Sequence, residues 1–255
     1  MDDKFSYELK FGSLYLKYAK GAPSVTNQEF HYHHEFVFFL NGSAYFVSKD
    51  IQQKLTENSL IVIPKEQFHQ FRVSDPSQYT RLILGFSDDP EMEALIENVM
   101  TQIKVISTPG AKVLDIFGNL TQIVKSELTD EEKALFIKSS LIQLLIYLKY
   151  DRSQPIQQNI NISPLVQRAI TYIDTHYAEK LTIDSIAQQL YVSTSSLAHK
   201  FSCELGISIY RYISKKRLLE VHKLVEQGDS PTSAATKCGF GDYSCYYRIY
   251  KKYTK

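Results

Sequence analysis

Apolar residues recur with helical spacing in two stretches near the end of the chain. Residues 181–206 begin with apolar side chains at i, i+3, i+4 and i+7, which lie on one face of a helix. A break follows, in which the hydroxyl of Ser193 can cap the next helix. A second apolar seam continues to Leu205, and Gly206 lies where a left-handed C-terminal cap belongs. The pattern predicts two short helices joined by a tight turn.

Residues 230–252 follow the same order. Ser230 and Pro231 are typical of a helix start, because serine caps the first turn and proline fits the first helical position. Gly239-Phe240-Gly241 predicts the turn. The seam of the second helix is predicted to contain Tyr246, Ile249 and Tyr250. Two short helices joined in this way form a helix-turn-helix, which places its second helix in a DNA major groove. Two such units predict a DNA-binding protein.

The stretch between the two units, residues 207–227, has the spacing of one long helix that ends at Gly228. At 1.5 Å per residue, about 20 residues span roughly 30 Å. This length is close to the ~34 Å of one DNA turn. We therefore expect the helix to hold the two units in successive major grooves.

The first 90 residues carry short apolar runs between turn-forming residues. The runs cover residues 36–40, 44–47, 60–63 and 82–86. Strands at about ten-residue spacing predict a small barrel or sandwich. From Pro90 onward, helical spacing covers residues 91–104, 112–128 and 130–150. The last helix is the most apolar, led by Leu135, Ile142, Leu145, Ile146 and Leu148, and it either packs against a second copy of the chain or caps the barrel.

Charge is distributed unevenly, although the net charge is only +1. Residues 161–255 carry 13 basic and 8 acidic side chains, whereas the rest carries 16 basic and 20 acidic ones. The basic half contains both helix-turn-helix patterns, which fits attraction to phosphate. No run of about 18 apolar residues predicts a membrane span, and the charged N-terminus is unlike a signal peptide. Three cysteines without metal or disulfide spacing indicate a cytoplasmic protein with reduced thiols.

The outward-facing side chains of the two second helices are the candidate DNA contacts. They are Ser195, Ala198, His199 and Ser202 in the first unit, and Tyr243, Ser244, Tyr247, Arg248 and Lys251 in the second. Arg248 is the strongest candidate base reader, because its guanidinium matches the O6 and N7 acceptors of guanine. The tyrosines can contact thymine methyls or phosphates, whereas Lys251 suits the DNA backbone.

The C-terminal pattern resembles the AraC/XylS family of bacterial transcription regulators. The similarity covers residues 163–255 and rests on Ile186, Ala187, Ser193, Leu197, Phe201, Gly206, Arg217, Leu218, Ala235, Gly239, Phe240, Ser244, Tyr246, Arg248, Tyr250, Lys251 and Lys252. The resemblance implies two helix-turn-helix units on one linker helix, with an attached domain that senses a small molecule or dimerises. Tyrosines 246 and 250 stand where the family usually has phenylalanine. The chain stops where the family usually continues, so we expect a truncated terminus.

Four histidines in the N-terminal half lie between residues 31 and 69. In a strand, His31 and His33 point to the same face, so both can line an interior. Together with the carboxylate of Glu35 and the distant His69, they can hold a divalent metal ion.

The segments 35–42 and 64–69 resemble the two motifs of a cupin barrel. The first motif is compressed, since only His34 separates His33 from Glu35, which puts Glu35 in doubt as a ligand. We therefore expect no bound metal or cofactor. The expected ligand is a small polar molecule such as a sugar, contacted by His31, His33, His69, Tyr32 and Tyr45. The structural alternative is histidines that form hydrogen bonds to the barrel wall.

These observations together predict an α+β protein with four regions. They are a cupin-like effector-sensing barrel (1–90), a helical dimerisation or connector region (91–150), a linker (151–160) and an AraC-type DNA-binding domain (161–255). The predicted function is an effector-responsive transcription regulator, not an enzyme. Its expected partners are double-stranded promoter or operator DNA, a small-molecule effector, a second copy of the chain and RNA polymerase, with no membrane. The alternative is a metal-dependent cupin enzyme with an accessory DNA-binding domain. A third possibility is a regulator whose N-terminal half only dimerises.

Overall fold

A computed structural model describes residues 6–21, 29–48, 51–123, 126–150 and 162–253. The chain divides into two compact units, residues 1–26 with 30–159 and residues 160–255 with 27–29. The first contains strands and helices, and the described part of the second is helical, so the predicted α+β class is confirmed. The predicted linker, 151–160, lies outside the described residues.

The first unit contains two antiparallel sheets. Their strands are β1 Ser6–Phe11, β2 Leu14–Lys20, β3 His34–Asn41, β4 Ala44–Ser48, β5 Gln52–Lys54, β6 Ser59–Ile63, β7 His69–Val73, β8 Thr80–Phe86 and β9 Lys104–Ile106. The larger sheet has the order β1-β2-β8-β3-β6-β9, and the smaller has the order β5-β4-β7. Each of the four predicted apolar runs lies within a strand. The helix predicted over residues 91–104 is wrong at its end, because residues 104–106 form strand β9, which pairs with β6.

The larger sheet is buried on both faces. Val37, Phe39 and Ile83 face the smaller sheet, where they join a core with Phe46 and Phe71. Their neighbours on β3 and β8 face the other way and pack against helices. A strand buried on both faces reads as a continuous apolar run rather than an alternating one. This explains why residues 36–40 and 82–86 show no alternation.

Three helices cover the outer face of the larger sheet. They are α1 Glu93–Val99, α2 Ala111–Gln122 and α3 Asp130–Tyr150. Helix α3 has the predicted bounds. Ile137, Leu141, Leu144 and Leu145 are buried, whereas Leu135, the first of the apolar residues that the sequence singles out, is 69% exposed. The apolar residues of α3 are distributed all around its axis, so the sequence alone did not indicate which face is buried.

The second unit contains six helices among its described residues. They are α4 Pro164–His176, α5 Ile183–Gln189, α6 Thr194–Leu205, α7 Ile209–Glu226, α8 Pro231–Lys237 and α9 Tyr243–Tyr253. The predicted caps are confirmed: the Ser193 hydroxyl accepts from the amide of Ser196, and Gly206 has a φ of 73°. The Ser230 hydroxyl caps α8 in the same way. Within the described ranges, none of the helices combines the length and apolar character that a membrane crossing requires.

Each helix-turn-helix has its own core. The first core joins α4, α5 and α6 through residues such as Ile173, Ile186 and Phe201. The second joins α7, α8 and α9 through residues such as Val221 and Phe240. The two cores lie at opposite ends of α7, whose 18 residues correspond to about 27 Å.

The segment 177–179, which follows α4, connects the two cores. The Arg217 guanidinium on α7 donates to the carbonyl oxygens of Tyr177 and Glu179, both at 2.7 Å. Gly239 lies on the other side of this segment, in the turn between α8 and α9, and has a φ of 83°. A Cβ at Gly239 would lie 2.5 Å from the carbonyl oxygen of Ala178. The close approach of two backbones therefore requires glycine here.

We predict that Gly239→Ala destabilises the second helix-turn-helix. Alanine at a positive φ costs about 1–2 kcal/mol, and its methyl group would also overlap the Ala178 carbonyl. The matched control is Gly241→Ala in the same turn, where nothing lies within 4 Å of the added carbon. Chemical denaturation followed by circular dichroism should show a loss of stability for Gly239→Ala alone. Equal losses in the two variants would contradict this account.

Candidate functional site

The first recognition helix, α6, presents a modest polar surface. Ser195, His199 and Ser202 are exposed, and Ala198 is half-buried beside them. Leu197 and Phe201 on the opposite face are fully buried. The Ser202 hydroxyl donates to the carbonyl of His199, and the Cys203 sulfur lies 3.6 Å from its Nε2 atom. The helix therefore offers hydroxyls and one imidazole to a partner.

The second recognition helix, α9, presents a row of aromatic and basic side chains. Tyr243 and Tyr247 are each 42% exposed, and their rings stack with centroids 6.0 Å apart. The Lys251 ammonium lies 4.9 Å from the centre of the Tyr247 ring. Ser244 and Arg248 are exposed on the same helix. This row gives α9 both flat surfaces for base or sugar contact and positive charge for phosphates.

Asp242 fixes the start of α9. Its carboxylate accepts a hydrogen bond of 2.6 Å from the amide of Cys245, which is the bond of an N-terminal cap. Tyr246 and Phe240 pack edge to face beneath the helix, with ring centroids 5.5 Å apart. The turn and the cap thus orient the exposed row.

The first unit contains a second candidate site, which we name the histidine–glutamate cluster: His31, His33, Glu35 and His69. Glu35 is on β3 and His69 begins β7, whereas His31 and His33 lie in the bend that precedes β3. The two rings still share a side, since they stack with centroids 4.1 Å apart. The predicted common face is therefore present, although a bend and not a strand produces it.

Glu35 is at the centre of this cluster. Its carboxylate lies 3.1 Å from Nε2 of His31, 3.1 Å from Nε2 of His33 and 3.9 Å from Nε2 of His69. The side chains of Glu35 and His69 are buried, while His33 is 30% exposed and marks the open side. The sequence left Glu35 in doubt because of its spacing, and the bend before β3 brings it against both neighbouring histidines.

Tyr15 completes the cluster from β2. Its hydroxyl donates to Glu35 and lies 2.8 Å from Nε2 of His33. Strand β8 separates β2 from β3, and Gly85 on β8 pairs with both Tyr15 and Glu35. A Cβ at Gly85 would overlap the Tyr15 ring, so the ring crosses β8 where a side chain is missing. Sequence reasoning missed Tyr15, because the strand order that brings it to Glu35 is not a local property.

The electrostatics of the cluster favour an ionised carboxylate. Burial by itself raises the pKa of Glu35. Attraction to His31, hydrogen bonds from His31 and His33, and attraction to His69 outweigh burial and hold the pKa well below its usual range. A buried anion surrounded by three imidazoles is a site that attracts cations and proton donors.

His34 has a structural role. Its Nε2 atom donates to Asp88 at 3.0 Å, and its Nδ1 atom accepts from the backbone amide of Lys65 at 3.0 Å. It lies against Phe86 on the outer face of the sheet. Burial lowers the pKa of His34, against the opposing effect of Asp88.

The two tyrosines predicted as ligand contacts have different positions. Tyr32 packs edge-on against Phe30, with ring centroids 5.2 Å apart. Tyr45 is 37% exposed on β4, between Ala44 and Phe46, which point into the core between the sheets. Because side chains alternate along a strand, Tyr45 faces away from that core. This is a correction of the expected site.

Two exposed residues near α6 were also missed. Tyr191, in the turn before α6, is 93% exposed and has a φ of 56°. Lys200 is exposed beside His199. The periodicity predicted a break near Ser193, but nothing in the sequence indicated that the aromatic side chain of Tyr191 beside it is exposed.

The fold and the exposed recognition helices define a DNA-binding protein of the helix-turn-helix class with an attached sheet-rich unit. Residues 11–145 match the model of the AraC-like ligand binding domain, and residues 186–255 match that of a helix-turn-helix domain. The first match covers more than half of the chain. This protein belongs to the AraC family of DNA-binding transcription regulators.

Similar proteins include transcription regulators of known name. The HTH-type transcriptional activator RhaS of Enterobacter sp. (strain 638) is 21% identical over 232 residues, which cover 87% of this chain and 83% of that protein. RhaS of Escherichia coli (strain SMS-3-5 / SECEC) is 22% identical over 233 residues, with the same coverage. Among solved structures, an apo ToxT variant from Vibrio cholerae strain SCE256 is 14% identical. The match covers 95% of this chain and 94% of the ToxT chain, with a TM-score of 0.45.

Proposed function

We propose that this protein is an effector-responsive transcription activator that reads promoter DNA mainly through α9. The observation that carries the proposal is the exposed row on α9, where Arg248 lies beside stacked tyrosines and a lysine. The names of the RhaS relatives support activation as the direction of control. Since the template is chromosomal DNA, the expected compartment is the cytoplasm, with RNA polymerase as a further partner.

The two recognition helices have different proposed roles. On α9, Arg248 reads a guanine, Tyr243, Ser244 and Tyr247 contact bases or phosphates, and Lys251 binds the DNA backbone. On α6, Ser195, Ala198, His199 and Ser202 give placement and partial readout, because three of these side chains are short and none is a lysine or an arginine. Sharp base specificity is therefore expected from the second unit.

We predict that Arg248→Ala lowers the discrimination between the preferred promoter fragment and random DNA by about 1–3 kcal/mol. The matched control is Arg168→Ala, which removes the same charge from an exposed position on α4, outside both helix-turn-helix units. Fluorescence anisotropy titrations at fixed salt should show a loss of preference for Arg248→Ala only. An unmodified protein that binds every fragment as it binds random DNA would refute the proposed function.

Dimerisation through α3 is proposed from an exposed apolar stripe. Leu135, Ile142, Ile146 and Tyr150 follow one another at i, i+7, i+11 and i+15, which is one face of the helix. Leu135 and Tyr150 are 69% and 72% exposed, and Ile146 is 40% exposed. A second copy of the same stripe would cover these side chains in a symmetric contact.

We predict that Leu135→Glu combined with Ile146→Glu converts a dimer into a monomer, because four charges would meet across the symmetric contact. Sedimentation at micromolar concentration measures the mass. The control is Tyr210→Glu, which adds a charge at a position on α7 as exposed as Leu135, at 69%. If the unmodified protein is monomeric, or if the double variant remains dimeric, the proposal that α3 forms the dimer interface is wrong.

The effector is proposed to bind at the histidine–glutamate cluster. His31, His33 and His69 provide hydrogen-bond partners for a small polar molecule such as a sugar, with Tyr32 nearby in the sequence. Binding would favour one arrangement of the sensor unit and thereby change how the dimer presents its recognition helices to DNA.

We predict that the effector sugar stabilises the unmodified protein and Gly118→Ala against unfolding, but does not stabilise Gly85→Ala. The Gly85 substitution displaces the Tyr15 ring from the cluster, whereas a Cβ at Gly118 on α2 meets nothing within 4 Å. At 100 times the dissociation constant, the free energy of unfolding should rise by about 2.7 kcal/mol. A thermal-shift assay with a panel of sugars detects this stabilisation as a rise in melting temperature. Equal stabilisation of Gly85→Ala would place the effector elsewhere.

The alternative of a metal-dependent enzyme is less well supported. Both RhaS relatives, which cover most of this chain, are named as activators rather than enzymes. We therefore propose that the chain has no catalytic activity and that the cluster serves for sensing.

A further inference from the structure

We infer that the histidine–glutamate cluster binds a divalent transition-metal ion, with His31, His33 and Glu35 as its ligands and His69 beside them. This inference deepens the proposed sensor site, because an ion held by these side chains would itself be a group that a small polar effector contacts. Its regulatory role rests on the proposed function, but binding of the ion does not.

The separation of the candidate ligand atoms fits one ion. A tetrahedral ion with nitrogen and oxygen ligands at about 2.0–2.1 Å holds neighbouring ligand atoms about 3.3 Å apart. Here the carboxylate of Glu35 lies 3.1 Å from Nε2 of His31 and 3.1 Å from Nε2 of His33. One ligand atom from each of these three residues lies within 4.8 Å of the other two. These separations fit ligand atoms that share one ion.

The orientation of two rings is the one that metal-binding histidines adopt. The Nδ1 atom of His31 lies 2.7 Å from the carbonyl oxygen of His33, and that of His69 lies 3.2 Å from the carbonyl oxygen of Gln67. A carbonyl only accepts, so each Nδ1 carries a proton, and Nε2 is the ring atom left to face Glu35 and to give a lone pair to a metal ion that replaces its proton. Metal ligands are fixed by this kind of backbone hydrogen bond.

Charge favours the same conclusion. A divalent ion interacts with two such lone pairs and the buried carboxylate at once, whereas a proton joins one nitrogen to one oxygen. Imidazole and carboxylate ligands without a thiolate suit zinc, iron or nickel better than the softest metals. The donor set thus selects a first-row transition metal.

His33 and Tyr15 control the open side. The His31 and His33 rings are nearly parallel, at 11°, so one ring must turn to direct its lone pair at a shared ion. His33 has room to turn, because its side chain is 30% exposed. The Tyr15 hydroxyl bonds to Glu35 and lies 2.8 Å from His33, which makes Tyr15 a positioning residue rather than a ligand.

The test is a metal titration of the full chain without DNA. Protein stripped with a chelator is titrated with Co²⁺ and followed by its visible absorption, and Zn²⁺ then competes for the site. We expect one ion per chain. Affinity should fall more than about 100-fold in His33→Ala and about 10–100-fold in Tyr15→Phe, which is the range for residues that orient ligands. His176→Ala removes a histidine of the second unit, whose Nδ1 atom bonds to Tyr172, and should leave affinity unchanged.

Two outcomes would overturn the inference. It is overturned if the unmodified chain binds no stoichiometric metal. It is also overturned if Tyr15→Phe and His33→Ala, each shown by circular dichroism to be folded, bind the ion as tightly as His176→Ala does. Absence of metal binding together with sequence-selective DNA binding would remove the inference and keep the proposed function. Metal binding by a protein that shows no preference among DNA fragments would refute the proposed function and keep the inference.

Discussion

The burial of an ionised carboxylate is the constraint on which the sensor unit depends. Glu35 points into the space between two sheets, where an unpaired charge costs several kcal/mol. Three histidines and a tyrosine from β2, β7 and the bend before β3 surround it. Gly85 provides the gap that admits the tyrosine. Five separate parts of the chain are thus arranged around one charge, and the same arrangement makes the cluster suited to bind a ligand.

The DNA-binding unit depends on a different kind of contact. Two small helical cores cannot hold a fixed orientation unless something rigid connects them. The long helix α7 does so, and Arg217 ties its middle to the segment that follows α4. Gly239 brings the second turn against the same segment. Backbone groups and the Arg217 side chain make these contacts, so the geometry does not depend on the side chains that face DNA.

The two recognition helices illustrate a division between folding and recognition. Helix α6 has strong caps and a fully buried seam, with a modest outer surface. Helix α9 has a seam of tyrosines that is partly exposed, and its outer face carries the aromatic and basic row. A residue that packs well is apolar, whereas a residue that reads DNA is polar or charged. A short helix therefore has few positions for both tasks.

The sequence by itself determined the elements whose signals are local. Helix caps such as Ser193 and Ser230, the turn at Gly239 and the apolar seams all act over a few residues, so their positions could be predicted. The exposed row on α9 followed from the same periodicity. Only the tertiary structure decided which face of α3 is buried, that residues 104–106 form a strand, that Tyr45 points away from the core and that Tyr15 reaches Glu35. These features depend on strand order and on contacts between residues far apart in the chain, and no local pattern encodes them.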